Sequence, residues 1–295
     1  MPSAPDTPRA ESFRARTLAE RIAQIVPSGG PFAPVRRLLK PLFQLALGRR
    51  GGGLRSVLPG GEVLLVAPAF RHVTWNCDEY HAFRAAVRPG DVILEAGTNV
   101  GAYTMLFARW TGSSGHVYAF EPDPMAFRGL EEHLALNDLT DRVTPVAAAV
   151  ADDATRTLRF AMFESSGISR MASDHEASGA TIREVPAWSI DRFCAERGIA
   201  PTAIKIDVEG AELAALHGAR ATIAAAGPRL QLFVEMHPQL WPSFGITADD
   251  IRRECAAQGL EVERLDGSQQ DLWTVEGVCL RLRPRGFGAT GSAAR

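Results

Sequence analysis

Residues 91–108, DVILEAGTNVGAYTMLFA, decide how the rest of the chain is read. Val92, Ile93 and Leu94 form a short apolar run, the composition of a parallel strand covered on both faces. The run ends on a carboxylate, Glu95. Gly97 and Gly101 follow, and glycine lets the backbone pass close to a ligand while a helix begins at once. Tyr103, Thr104, Met105, Leu106 and Phe107 continue as that helix. A buried strand, a glycine turn and a helix in this order predict a nucleotide-type cofactor site at the mouth of a parallel sheet. The turn Glu95-x-Gly97-x-Asn99-x-Gly101 lacks the middle glycine of the dinucleotide fingerprint. Asn99 tolerates left-handed backbone better than most residues, so the turn survives the change.

The next strand strengthens the reading. His116–Phe120 (HVYAF) is apolar and β-prone and runs into Glu121, Pro122 and Asp123. Glu121 lies twenty residues after Gly101. A carboxylate at the end of a second strand can accept hydrogen bonds from both hydroxyls of a ribose. Further on, Val143–Val150 reads as the third strand and its loop, where the small Ala147, Ala148 and Ala149 leave room for a flat ring such as adenine.

Working outward, 295 residues suffice for one large α/β domain, assigned here to 56–284, with an extension over 1–55 and a tail over 285–295. The net charge of −2 gives no bulk attraction to nucleic acid. Nearly every cation is arginine, with Lys40 and Lys205 the only lysines, so individual arginines are not read as functional. Cys77, Cys194, Cys255 and Cys279 are scattered, without a C-x-x-C pair or a histidine cluster. That excludes a metal cage or disulfide framework as the organising device and suits a reducing cytoplasm. The first twenty residues are polar and charged, unlike a secretory signal. No apolar run approaches the ~20 residues of a membrane span.

The N-terminal stretch is rich in Pro, Ser, Ala and Arg and is expected to be partly disordered, with one short helix near Ser12–Ile25. Val35–Arg50 is basic and amphipathic but interrupted by Pro41. Such a segment packs on its own domain or a second subunit more often than on a membrane surface. Gly51–Gly53 is a flexible joint. A strand is expected over Glu62–Val66 and helices over Asp78–Val87 and Asp123–Asn137. The apolar stripe of the second helix is assigned to packing. Thr157–Met162 and Thr181–Trp188 alternate like antiparallel strands, an insertion beside the parallel sheet. The long segment 164–180 between them is expected to be a lid or binding loop. A helix over Ser189–Arg197, a strand over Ala203–Ile206, a helix over Ala211–Ala226, a strand over Arg229–Val234 and a helix over 248–258 follow. Leu260–Arg264 and Leu272–Leu282 close the sheet as an antiparallel edge.

Carboxylates stand at the ends of successive predicted parallel strands: Glu95, Glu121, Asp207 with Glu209, and Glu235, joined by His237. In a doubly wound sheet these ends meet on one edge, where ligands bind. Lys205 lies inside a buried strand and needs a paired charge. Alternation puts it on the same face as Asp207. It either orients that carboxylate or is itself a catalytic group. His237 is a candidate general base near neutral pH. Asp207, Glu235 and His237 as holders of a divalent ion are the less favoured reading. The acidic edge suits a ligand carrying positive charge, a sulfonium and an amine rather than a pyrophosphate.

These blocks are similar to the FkbM-type methyltransferase domain, a branch of the S-adenosylmethionine-dependent Rossmann-like methyltransferases. The resemblance covers 90–237 and rests on GDVILEAGTNVGAYT (90–104), VYAFEPDP (117–124), Asn137 at the end of the following helix, IKIDVEGAE (204–212) with Leu216, Gly218 and Ala219, and VEMHP (234–238). The family's more usual turn is D-x-G-A-N-x-G; Glu95 replaces the Asp here and Thr98 the Ala, both mild changes. The resemblance implies a doubly wound, mostly parallel sheet and S-adenosylmethionine as cofactor. It implies that Glu95 and the Gly97–Gly101 backbone, with Thr98, Asn99, Tyr103 and Thr104, hold the methionine part. Glu121 beside Pro122 would hold the ribose, residues around Ala148 would flank the adenine, and Asp207 would border the transferred methyl. It also implies methylation of a hydroxyl on a small molecule such as a sugar, glycolipid or secondary metabolite, with Asp207, Glu235, His237 and Lys205 as the catalytic candidates. No metal is assigned, and homo-oligomerisation stays open.

Two other readings compete. An NAD-dependent oxidoreductase would share the early strands and Glu121, but the missing middle glycine and the acidic surroundings count against it. A non-catalytic binding protein on the same fold is the other, since fold alone does not dictate function.

Overall fold

The structure is a computed structural model that describes residues 12–13, 53–162, 170–171, 181–265 and 277–285. The expected amphipathic segment 35–50, nearly all of the loop 164–180 and the tail from 286 lie outside the described residues. Ser12–Phe13 pair antiparallel with Trp75–Asn76, so that dipeptide is extended where a helix was expected to start. The rest of 14–25 also lies outside the described residues.

Seven strands form the central sheet. We number the elements in chain order. An antiparallel pair, β1 (Leu54–Val57) and β2 (Val63–Val66), precedes α1 (Cys77–Ala86). Then come β3 (Val92–Ala96), α2 (Ala102–Thr111), β4 (His116–Phe120), α3 (Pro124–Leu136) and β5 (Val143–Val146). The insertion is β6 (Thr157–Met162) paired antiparallel with β7 (Thr181–Trp188). The chain continues through α4 (Ile190–Arg197), β8 (Ala203–Ile206), α5 (Glu212–His217), α6 (Arg220–Ala226) and β9 (Gln231–Met236). It closes with α7 (Ala248–Ala257), β10 (Leu260–Arg264) and β11 (Val278–Pro284).

Across the sheet the order is β10-β11-β9-β8-β3-β4-β5. The strands from β9 to β5 are parallel, and β11 runs antiparallel to both its neighbours. The connections therefore leave β3 outward through β4 to β5, then return to its other side with β8. That reversal between β3 and β8 is the switch point where open α/β sheets bind ligands.

Helix starts follow local capping chemistry. The Asn76 side chain accepts from the Asp78 and Glu79 N–H groups at the head of α1, and Asp123 does the same for Met125 and Ala126 ahead of α3, where Pro124 fits the first turn. One expectation needs correction. The segment 211–226 is not one helix but two, α5 and α6, parted at Gly218–Ala219. A Cβ on Gly218 would stand 2.2 Å from the Ala151 carbonyl oxygen, so the break falls where the two backbones meet and only glycine fits. The last strand is seen over Val278–Pro284, and the earlier part of its expected span, 272–276, lies outside the described residues. All four cysteines are free thiols. Among the described residues no helix is long and apolar enough to cross a membrane.

Candidate active site

Strand alternation and register assemble the charged centre. Lys205 on β8 is registered with Glu95 on β3 and with Phe233 on β9. Two residues on, Asp207 and Glu235 follow on the same face. Residues of the opposite parity, Leu94, Ile204, Ile206, Leu232 and Val234, are buried in the other core layer. Lys205 is almost fully enclosed, and its Nζ lies 2.9 Å from Asp207 Oδ2. Burial alone would lower the lysine's pKa. Asp207, Glu235, Glu95 and Glu79 together outweigh it and hold the ammonium charged. For Asp207 burial favours the neutral acid, but Lys205 and His237 prevail and hold the carboxyl below its ordinary range. Glu235 goes the other way: burial and the Asp207 charge raise it well above the usual carboxylate range. Burial pushes Glu95 up to about 7 against the pull of Lys205 and of the Thr104 hydroxyl, which donates to its Oε2 at 2.7 Å.

The turn after β3 has the backbone its residues permit. Gly97 sits at φ +78°, and a Cβ there would stand 1.7 Å from the Asp207 carbonyl oxygen. Only glycine lets the ends of β3 and β8 approach so closely. Asn99, in the place of the fingerprint's middle glycine, is left-handed at φ 51°. Its N–H donates to Glu121 Oε2 at 2.7 Å, and the Asp123 N–H donates to Glu121 Oε1 at 2.8 Å. Burial raises Glu121 to about 8, with those two N–H groups opposing it.

Gly97, Asn99, Glu121, Pro122, Ala148 and Asp207 line one cavity. Leu158 and Phe160 of the insertion also reach it, a contribution the sequence did not announce. The donor set fits an adenosyl ligand. Each Glu121 oxygen is occupied by one backbone N–H and can accept another bond, as two vicinal ribose hydroxyls require. A second, larger cavity of about 860 Å³ shares Gly97, Asn99 and Asp207 with the first and has Phe70, Val73, Tyr103, Met125 and Lys205 in its walls. Tyr103 and Thr98 belong to this second space. The Tyr103 hydroxyl accepts from the Asn76 N–H at 2.9 Å, and its ring lies 5.5 Å from Lys205 Nζ.

His237 is nearly buried and faces two ways. Its Nδ1 is 2.7 Å from Glu212 Oε1; Glu212 also accepts from the Trp241 indole at 2.8 Å and from the Gly210 N–H at 3.0 Å. Its Nε2 points among Glu209, Glu235 and Asp207, at 3.6, 3.8 and 3.9 Å. Burial lowers the imidazole's pKa, but the Glu212 hydrogen bond and charge, with Glu209 and Asp207, raise it to about 9. The expected base near neutral pH is thus an imidazolium in this environment. One ligand atom each from Asp207, Glu209 and His237 lies within 4.8 Å of the others, a spacing a cation can bridge.

Two side chains of the buried charged network were not legible in the sequence. Glu79, near the start of α1, resembles a solvated first-turn acid, yet it is buried and acts electrostatically on Lys205, Tyr103 and Asp207. Glu212 falls inside the quoted IKIDVEGAE block, but nothing in the spacing pairs it with His237, 25 residues away.

A parallel sheet with an antiparallel seventh strand, a glycine turn at its switch point and a carboxylate just after the next strand define a Rossmann-like methyltransferase fold. The family model described as the methyltransferase FkbM domain matches residues 95–262, more than half of the chain. The protein belongs to that family and is an S-adenosylmethionine-dependent methyltransferase of FkbM type. The chain is 29% identical over 179 residues to 31-O-demethyl-FK506 methyltransferase FkbM of Streptomyces tacrolimicus, covering 51% of this chain and 67% of that protein. It is 27% identical over 122 residues to the catalytic subunit of the tRNA (adenine(58)-N(1))-methyltransferase of Yarrowia lipolytica, covering 41% of this chain and 31% of that protein. Among solved structures, methyltransferase FkbM from Methylobacillus flagellatus KT aligns with a TM-score of 0.43 at 18% identity, covering 70% of this chain and 50% of the other.

Proposed function

We propose that the protein transfers a methyl group from S-adenosylmethionine to a hydroxyl of a small molecule, a sugar, glycolipid or secondary metabolite. The observation that carries this reading is the position of Asp207, which lines both cavities. In-line transfer needs donor and acceptor to meet at one border, held in near-attack geometry. When bound, S-adenosylmethionine supplies a methyl already activated by its sulfonium. Glu121 takes the ribose hydroxyls, Ala148 flanks the adenine, and the Gly97–Gly101 backbone and Glu95 take the methionine part where the two cavities join at Gly97, Asn99 and Asp207.

The second cavity takes the acceptor, whose apolar portion lies against Phe70, Val73 and Met125. Lys205 keeps Asp207 ionised, and Glu235, held well above the usual carboxylate range, acts on the same carboxylate. Asp207 therefore accepts the acceptor's hydroxyl proton, while Lys205 and Glu235 orient it. His237, holding its own proton, helps to position the acidic rim. The acidic lining of Glu121, Asp207 and Glu209 suits a cationic donor and disfavours a dinucleotide pyrophosphate. The Streptomyces relative, a 31-O-demethyl-FK506 methyltransferase, supports an oxygen acceptor.

Incubation of a metabolite extract with the enzyme and a deuterated methyl donor, read by mass spectrometry, tests this. An ether oxygen carrying the labelled methyl is expected. Label found only on nitrogen or carbon would overturn the oxygen acceptor. Calorimetry provides the companion test: S-adenosylhomocysteine is expected to bind and NAD to give no heat.

A further inference from the structure

We propose that Asp207, Glu209 and His237 bind one divalent cation, with Mn²⁺ the best match to the ligand set. The candidate ligand atoms, a carboxylate oxygen from each acid and a ring nitrogen, lie within 4.8 Å of one another. Ligands about 2.1 Å from a shared ion stand roughly 3 to 4 Å apart, so little movement is needed.

The imidazole is the independent pointer. His237 is only 5% exposed, and the side-chain hydrogen bond it makes among the described residues is at Nδ1, to Glu212. The acceptors around Nε2 stand 3.6 to 3.9 Å away, beyond hydrogen-bond range yet grouped around that nitrogen. The other ring nitrogen is fixed by Glu212, itself held by Trp241 and Gly210. A carboxylate behind a histidine in this way sets the tautomer and aims the second nitrogen outward, as metal-binding histidines are oriented, and the ion takes the place of the Nε2 proton, which leaves to solvent. Asp207 divides its oxygens likewise: Oδ2 faces Lys205, and Oδ1 is the one nearest His237. Carboxylates alone suit Mg²⁺ or Ca²⁺ and imidazole suits later transition metals, so a mixed set of two oxygens and one nitrogen favours Mn²⁺.

The ion's place beside Asp207 puts it at the edge of the acceptor cavity. Its catalytic use there, taking the hydroxyl oxygen and easing loss of the proton to Asp207 or Glu235, rests on the hydroxyl reading above. The binding site does not.

The test therefore uses no acceptor. Full-length protein freed of metal by chelation is titrated with Mn²⁺, and the free-ion electron paramagnetic resonance signal is followed, with Mg²⁺ and Zn²⁺ as competitors. One saturable ion per chain is expected. His237→Ala and Asp207→Asn should each weaken it by ~100-fold, and Glu212→Gln by ~10 to 100-fold, as for second-layer partners of metal-binding histidines. Circular dichroism and thermal melts show that each variant is folded. Absence of saturable binding, or equal binding by His237→Ala, overturns the proposal. Either result leaves oxygen methylation with Asp207 as sole base standing. Mn²⁺ binding without label in any extract ether would remove the oxygen reading and keep the metal site.

Discussion

Lys205 lies 2.9 Å from Asp207 and feels Glu79, Glu95 and Glu235, so it offsets more buried negative charge than any one partner supplies. Replacing it with an isostere of similar length leaves those carboxylates uncompensated. Lys205→Met is expected to destabilise the fold by about 3–5 kcal/mol at pH 7.5, as when one partner of a buried pair is removed. The loss should be smaller at pH 5, where the raised carboxyls hold protons. Urea unfolding at both pH values measures it, and an equal loss at both would refute the charge argument. Glu121 gives a second pH effect. Its folded pKa is about 8 against an ordinary 4.5, so the folded state binds the proton more tightly. The stability it contributes is complete below about 4.5 and is lost as pH rises through about 8. Glu121→Gln cannot ionise, so its melting temperature should gain on that of the parent between pH 5 and pH 9. Parallel melting profiles would show that Glu121 does not ionise in the fold. For chemistry, Asp207→Asn should lower methyl transfer by ~10²–10⁴-fold, the usual reach of a general base, while S-adenosylhomocysteine binding changes little. Sequence alternation was enough to pair Lys205 with Asp207. It was silent on Glu79, because a first-turn glutamate on a capped helix looks like any solvated acid until the helix is laid over the sheet.

At the scale of elements, Asn137 closes α3 and ties β2 to the core. Its Oδ1 accepts from the Leu65 N–H and its Nδ2 donates to the Leu65 carbonyl, both at 2.8 Å, 72 residues away in the chain. Without that clamp the edge of β2 loses both partners. Asn137→Ala should cost about 1–3 kcal/mol, the range for leaving buried polar groups unpaired. Hydrogen exchange at Val63–Val66 should accelerate more than in β3 or β8; uniform acceleration would show a global effect instead. The sequence marked Asn137 as the end of a helix, but its partner strand lies too far off in the chain for local pattern to reveal. The break between α5 and α6 escaped for a similar reason. Helical periodicity runs through 211–226, and the break falls where the Ala151 backbone meets Gly218, a contact between residues 67 apart in the chain.

At the scale of the molecule, two core layers share one sheet, one under β8 and β9 with α4 and α7, the other under β3 and β4 with α1 and α2. Layers divided only by a common sheet should melt together, so calorimetry is expected to show one transition. S-adenosylhomocysteine at a hundred times its dissociation constant should add about 2.7 kcal/mol of stability, and two separated transitions would contradict the shared core. The sequence by itself determined the order of strands and helices, the glycine turn at β3 and the carboxylates waiting at strand ends. These depend on periodicity and backbone freedom, which are local. Tertiary structure alone decided that His237 is held by Glu212 and charged, that Asp207 borders two cavities, and that Glu79 joins the buried network. Those properties depend on desolvation and on distances between residues far apart in the chain, which residue order does not encode locally.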